Sequence, residues 1–493
     1  MPAATVQSLV IAGLMPLLDR ARWRSRQVGR SVLASFTTHL GPARDFDAMA
    51  LVNTTDAFIW EQPERGFALA GTGIAARITA SGPGRFDDAR TQLQQLLDDA
   101  IVQQESGAAL HPTPLSLAGF AFDPERPDNV AWFGYPDALV TLPRLLFTRS
   151  GSHLFITANA LVAEDTSTTA EASNLAALAE RLIAEAVEPA NEAAPGQLLD
   201  PGADAREFWG ESVEALTSTI ATGNPGKVVL ARRVTVESPE GFDPRAVLHR
   251  LRERFAECTV FAVRSGESCF VGATPEMLVS LRGRRVRCDC LAGTARRGTT
   301  PEEDDRIGAA LLADEKERRE HAFVARGIGE SLAPFSANVH HADEPGLRRM
   351  ANVQHLHTPI EATTDGDRHV LELVDALHPT AATAGLPRAE ALALIREQEP
   401  FSRGWYAGAI GWIDADGGGE FAVALRSGLL REDVATLYAG CGIVTGSQPE
   451  REWVESEIKL AAMLYALNAV PQQSVAVQHA GPLQTGRPER TGQ

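Results

Sequence analysis

"YAGAIGWIDADGGGEFAVALRSGLL", residues 406–430, decides the fold class. "YAGAIGWID" and "EFAVALRSGLL" alternate apolar and small residues and read as strands, while "ADGGG" between them reads as a tight turn whose glycines supply positive φ. A hairpin of this kind makes neighbouring strands antiparallel.

The same signature recurs outward from it. "KVVLARRVTVE" from Lys227, "CTVFAVRSGESCFVGAT" from Cys258, "RRVRCDCLAGTA" from Arg284 and "VATLYAGCGIVTG" from Val434 all read as strands. "REFWGESVEALTSTIATG" reads as a helix closed by Gly223, and one long helix is expected over Glu302 to Leu332. "PEREWVESEIKLAAM", 449–463, opens the last helix. In the first 160 residues "AFIW", "GFALAG" and "HLFITANALVA" read as strands and "DARTQLQQLLDDAIVQQ" as a helix. Helices grouped among hairpins, rather than alternating with strands, point to α+β with antiparallel sheets. Residues 188–204 turn to Pro, Ala, Gly and acidic residues. They read as a connector between an N-terminal part, 1–204, and a region 205–468, with 471–493 expected as a disordered tail.

Composition bounds the function. With 46 basic and 64 acidic residues the formal charge is −18, which repels nucleic acid and anionic lipid unless a basic cluster is segregated. The run Arg20 to Arg30 reads as the densest basic stretch, without the aromatic platform a nucleic-acid surface needs. Five cysteines without CxxC pairs indicate reduced thiols in a cytoplasm. The uncharged Met1 to Leu18 has its positive charges after the apolar run, so it reads as an amphipathic first helix rather than a signal peptide. "GTGIAA" at 71–76 fits a dinucleotide fingerprint, but "RITASGPGRF" after it does not permit the required helix.

Charged residues on helices carry the candidate chemistry. Glu452, Glu455 and Lys459 share one helical face, and such a row is ordinarily a solvated ion-pair ladder, worth ~0.3–0.5 kcal/mol. Counting by fours from Leu312 through Lys316 and Glu320 to Val324 and Ile328 puts Glu320 in an apolar row, where an ionised carboxylate needs a partner, water or a metal. Glutamates on two helices are able jointly to hold a hard divalent cation such as Mg2+. Lys227 at a strand start and Glu276 in "GATPEML" are ordinary surface residues unless a dry cleft changes their pKa values; His355 in "VQHLHTP" fits a strand better than a zinc site.

Ten segments, in order "KVVLAR", "GATPEML", "LAGTARRG", "DEKERREH", "HLHTPI", "LHPTAATAGLP", "EPFSRGWYAGAIGW", "VALRSGLL", "AGCGIV" and "EWVESEIKL", resemble the chorismate-utilising enzymes, and among them the isochorismate synthases, over about 205–468. The resemblance implies one α+β unit of two stacked antiparallel sheets flanked by helices, to which residues 1–204 contribute. It implies Lys227 as the base that activates water, Glu276 as the acid that protonates the departing hydroxyl, and Glu320, Glu455 and, through water, Glu452 as Mg2+ ligands. Gly293, Thr294, His355, Ala382, Thr383, Tyr406, Arg426, Gly440 and Lys459 match substrate-binding positions. The lysine at 227, where the amine-transferring relatives carry glutamine, implies chorismate hydration without a glutaminase subunit; a monomer is one option, and the oligomeric state is left open. "AGTARRG" and Ala382 lean toward isochorismate as the final product. Thr383 leaves open a salicylate synthase that goes on to eliminate pyruvate, and Cys441 stands where relatives commonly have alanine. A chorismate-binding relative without turnover is the remaining alternative, and menaquinone and siderophore pathways are both open.

Overall fold

The computed structural model describes residues 6–43, 46–105, 111, 113–126, 130–199, 202–223, 225–351 and 353–469. The tail expected at 471–493 lies outside the described residues.

Two large sheets form the architecture, of thirteen and ten strands among the described residues. Every pairing is antiparallel except one: strand Val32–Pro42 runs parallel to Ile101–Gln104, with Ala34 opposite Ile101. That strand corrects the reading of 88–104 as a single helix. The helix is Arg85–Leu97, and the chain beyond Asp98 and Asp99 turns extended, where β-branched Ile101 and Val102 favour a strand and Arg24 and Arg30 tie down the Asp99 carboxylate.

The sheets stack face to face. Alternation along each strand gives one face to a shared core and the other to helices: Trp60, Leu69, Phe261 and Phe270 from the larger sheet meet Leu117, Ile410, Trp412 and Ala422 from the smaller. The outer face of the larger sheet packs on helices Val6–Val28, Thr168–Glu185, Pro244–Arg254 and Pro449–Ala466, and that of the smaller on Arg85–Leu97, Glu315–Leu332 and Val370–Leu377. The first helix buries Val10, Leu14, Leu17 and Leu18 on one side, as an amphipathic helix should. Strands from both sides of 188–204 share both sheets, and within that segment Gln197–Leu198 pairs with Lys227–Glu237. No helix of the described residues is long and apolar enough to cross a membrane.

One expected strand divides. "EFAVALRSGLL" gives Gly419–Val423 in the ten-stranded sheet and Ser427–Arg431 in the other, and the chain crosses between sheets at Ala424 to Arg426. Arg426 has φ +49, a left-handed conformation that costs a non-glycine residue about 1–3 kcal/mol. A second crossing runs alongside: Ser268–Thr274 ends in the larger sheet and Met277–Arg282 begins in the smaller, with Glu276 between them. The crossings are tied together, Ala273 N donating to Arg426 O at 3.2 Å and Val423 N to Glu276 O at 3.0 Å.

The helix expected over Glu302 to Leu332 is two helices, Pro301–Ala313 and Glu315–Leu332. Asp314 separates them because its carboxylate accepts from Lys316 N and Glu317 N at 2.9 and 3.0 Å, the N-cap bond that competes with helix continuation. Leu312 therefore leaves the row of Lys316, Glu320, Val324 and Ile328.

Candidate active site

Lys227 opens its strand beside the ends of both crossings. Its side chain is 1% exposed, and Nζ lies 2.8 Å from Glu320 Oε1. A buried amine nitrogen needs a hydrogen-bond partner, and helix Glu315–Leu332 supplies it. Gly442, opposite Val229 on the adjoining strand, makes room for the pair: a Cβ there would stand 2.7 Å from both Glu320 Oε1 and Lys227 Cε. Gly442 is a site residue that sequence reasoning passed over, legible only as the second glycine of "AGCGIV". A Gly442→Ala variant displaces side-chain ends and no backbone, so it should fold with an ordinary melting temperature yet lose about 10²-fold in kcat, the scale of a 1 Å misplacement. Melting and turnover measured together check this, and unchanged kcat refutes it.

The row Glu452, Glu455, Lys459 faces inward. Lys459 Nζ is 2.6 Å from Glu455 Oε1 and donates to Gly440 O at 2.9 Å, while Lys316 Nζ stands 3.5 Å from Glu452 Oε1. Glu317, absent from the sequence candidates, joins this group from the facing helix; its spacing of three from Glu320 was the available signal. Its carboxylate accepts from Thr294 N at 3.2 Å. Burial, then the charges of Glu320 and Glu455, push its pKa up to about 7. Burial and then Glu455 also raise that of Glu452. Burial works to raise Glu455 too, but the Lys459 ammonium outweighs it and holds the carboxyl below its usual value. Ligand atoms of Glu452, Glu455 and Cys441 lie within 4.8 Å of one another. Cys441 Sγ donates to Glu452 O at 3.1 Å and burial raises its pKa far up, so it stays a thiol. Glu320, engaged by Lys227, is not part of that trio.

These groups border one cleft. Lys227, Glu276, Gly293, Thr294, His355, Ala382, Thr383, Tyr406, Arg426, Gly440 and Lys459 all line it, as do Glu320 and Glu455; Glu452 does not. The guanidinium of Arg426, a lining residue of the cleft, has no hydrogen bond or ion pair among the described residues. His355 Nδ1 lies 3.2 Å from Gly293 O and 3.0 Å from Thr294 Oγ1. Burial, then Arg426, depress its pKa to about 3, so the ring is neutral. With the Nδ1 proton donated to Gly293 O, the unpartnered Nε2 is left as an acceptor. Thr383 Oγ1 bonds to Thr380 Oγ1 at 3.2 Å. Behind it the buried Arg403, paired with Glu399, donates to the carbonyls of Thr383 and Val229 at 2.8 and 2.7 Å. Arg403 lines the cleft as well and was also passed over; its i,i+4 spacing from Glu399 was visible, but not its burial.

Burial first, then Asp289, push Glu276 up to about 7 from an ordinary 4.5. A carboxyl with that pKa is half protonated near neutral pH. If it serves as the acid, kcat/KM should fall about tenfold per pH unit above 7, as the proton is lost, and hold below it. Glu276→Gln should remove that descending limb, and a wild-type profile flat to pH 9 would exclude the role.

Comparison with known proteins identifies the family. Residues 18–468 match the model of the family described as chorismate binding enzyme. The chain belongs to that family. Over 466 residues it is 36% identical to the salicylate biosynthesis isochorismate synthase of Pseudomonas aeruginosa, covering 94% of this chain and 96% of that one. It is 34% identical over 455 residues to isochorismate synthase MenF of Bacillus subtilis, covering 90% and 95%. The solved structure of MenF, the menaquinone-specific isochorismate synthase of Escherichia coli, superposes with a TM-score of 0.73 at 28% identity over 91% of this chain and 99% of that chain.

Proposed function

We propose that the protein is an isochorismate synthase that hydrates chorismate at C2 and expels its C4 hydroxyl, with Mg2+ as cofactor. The observation that carries this reading is the pairing, in one cleft, of buried Lys227 with a carboxyl, Glu276, whose pKa is near 7. Lys227 takes a proton from water as the oxygen bonds to C2. The ring double bond migrates, the C4–O bond breaks, and Glu276 gives its proton to the leaving hydroxyl, which departs as water. Water in and water out make the reaction an isomerisation. Each proton transfer by a positioned side chain is worth about 10²- to 10⁴-fold. Arg426 and Lys459 offset the two negative charges of the substrate in a protein whose net charge is −18, and His355 Nε2 accepts from a hydroxyl.

The carboxylates fit the cation. Glu317 and Glu452 are raised by burial and by neighbouring carboxylates, an excess of negative charge on hard oxygen donors that a divalent ion relieves. Glu320 and Glu455 would hold it, with Glu452 beside them, and it would supply a charge anchor for a substrate carboxylate.

The names of the relatives support the isochorismate step, and one of them works in salicylate biosynthesis. Purified protein incubated with chorismate and Mg2+ tests the proposal. Isochorismate alone supports it, salicylate with pyruvate favours the synthase that continues to elimination, and no product points to a binding protein. The reaction as written requires no ammonia and hence no glutaminase subunit.

A further inference from the structure

Away from the cleft, the inner face of the ten-stranded sheet carries a cluster of arginines at one end. In Met277–Arg282, Val279 and Leu281 enter the helix-covered core, and alternation sends Ser280 and Arg282 to the opposite face. In Arg285–Arg296, Val286, Cys288 and Cys290 enter the same core, so Arg285 and Arg287 emerge beside Arg282. The register sets Arg282 opposite Arg285 and Ser280 opposite Arg287. Arg284 in the connecting turn and Arg65, from the turn Pro63–Arg65 of the other sheet, complete the ring around an open recess of about 750 Å³.

This corrects the reading that basic charge is densest at Arg20 to Arg30: four arginines occupy the six positions 282–287, and folding adds Arg65. The opposing charge is small. Arg65 Nη1 is 3.2 Å from both oxygens of the buried Glu420, and Arg287 Nε is 2.9 Å from exposed Glu361. Arg284 bonds to the carbonyl of Thr364. Arg282 and Arg285 have no hydrogen bond or ion pair among the described residues, although they face each other across the hairpin. Like charges directly opposite on neighbouring strands are destabilising; Asp414 attracts Arg282 electrostatically but without a direct ion pair.

We propose that this recess binds a small, multiply charged anion bearing phosphate or carboxylate groups, held chiefly by Arg282 and Arg285 with Arg65 and Arg284 at its sides. Guanidinium forks pair bidentately with either group. Concave shape and an otherwise acidic protein favour a compact ligand over a long polyanion, which the remaining surface would repel. The recess shares no lining residue with the cleft, so it is a separate site.

Calorimetric titration of the full chain, without Mg2+ and at physiological salt, tests it with inorganic tripolyphosphate and with citrate as probes. At least one should bind, and Arg282→Ala with Arg285→Ala should weaken it by tenfold or more. A control with the same charge change elsewhere, Arg20→Ala with Arg26→Ala, both exposed on the first helix, should leave binding unchanged. Stronger binding of tripolyphosphate identifies a phosphate ligand, and stronger binding of citrate a carboxylate one. The proposal falls if neither probe binds, if the Arg282 and Arg285 variant binds as the wild type does, or if both double variants weaken binding equally. All four substituted arginines are exposed, and melting curves of both variants verify that the fold is intact.

Discussion

A Lys227→Gln variant should lose about 10²- to 10⁴-fold in kcat while keeping its fold and its affinity for chorismate. The glutamine amide, one atom shorter than the lysine chain, still offers an N–H toward Glu320, whose Oε1 is 2.8 Å from Nζ in the wild type, so the half-buried carboxylate keeps a donor nearby. What disappears is a group able to take a proton from water. Product formation followed by chromatography, with circular dichroism to verify folding and calorimetry to measure chorismate binding, separates the effects. Turnover within a few-fold of wild type would remove Lys227 as the base, and with it the proposed hydration chemistry.

Glu320→Gln and Glu455→Gln should each raise the Mg2+ concentration for half-maximal activity by at least about 10- to 100-fold, since loss of an outer-shell partner alone has that effect on metal sites. Each also disturbs an ion pair. Glu455→Gln leaves the Lys459 ammonium, 2.6 Å from the lost charge, buried against only the Gly440 carbonyl, and so lowers stability as well. Glu320→Gln removes in the same way the charged partner of Lys227, whose Nζ lies 2.8 Å away and whose side chain is 1% exposed, so melting is measured beside the Mg2+ titration for both variants. Mg2+ titrations that superpose on the wild type would take both residues out of an ion site, whatever their effect on melting.

Local chemistry in the sequence specified the elements. The glycines of "ADGGG" permit the turn in which Gly417 has φ +82, alternation marked the strands on either side, and helical spacing put Glu452, Glu455 and Lys459 on one face before anything was known of what lies opposite. Order and identity of the ten segments pointed to the family and to most of the cleft. Asp314 was legible too, as an aspartate followed by an acidic first turn, but the apolar row running through it outweighed the cap.

Folding decided the rest. Periodicity tells which side chains share a face but not what that face meets, because the opposing groups come from positions far along the chain. Lys227 finds Glu320 across 93 residues, and Arg65 joins an arginine hairpin more than two hundred positions away. The sheet crossings at Glu276 and Arg426 were invisible for the same reason, since a strand that changes sheets has the same alternation as one that does not. The sequence thus determined the strands, the helices and the inventory of reactive groups; the stacking of two sheets, whose burial removes water and brings distant charges within a few ångströms, decided which of those groups act on one another.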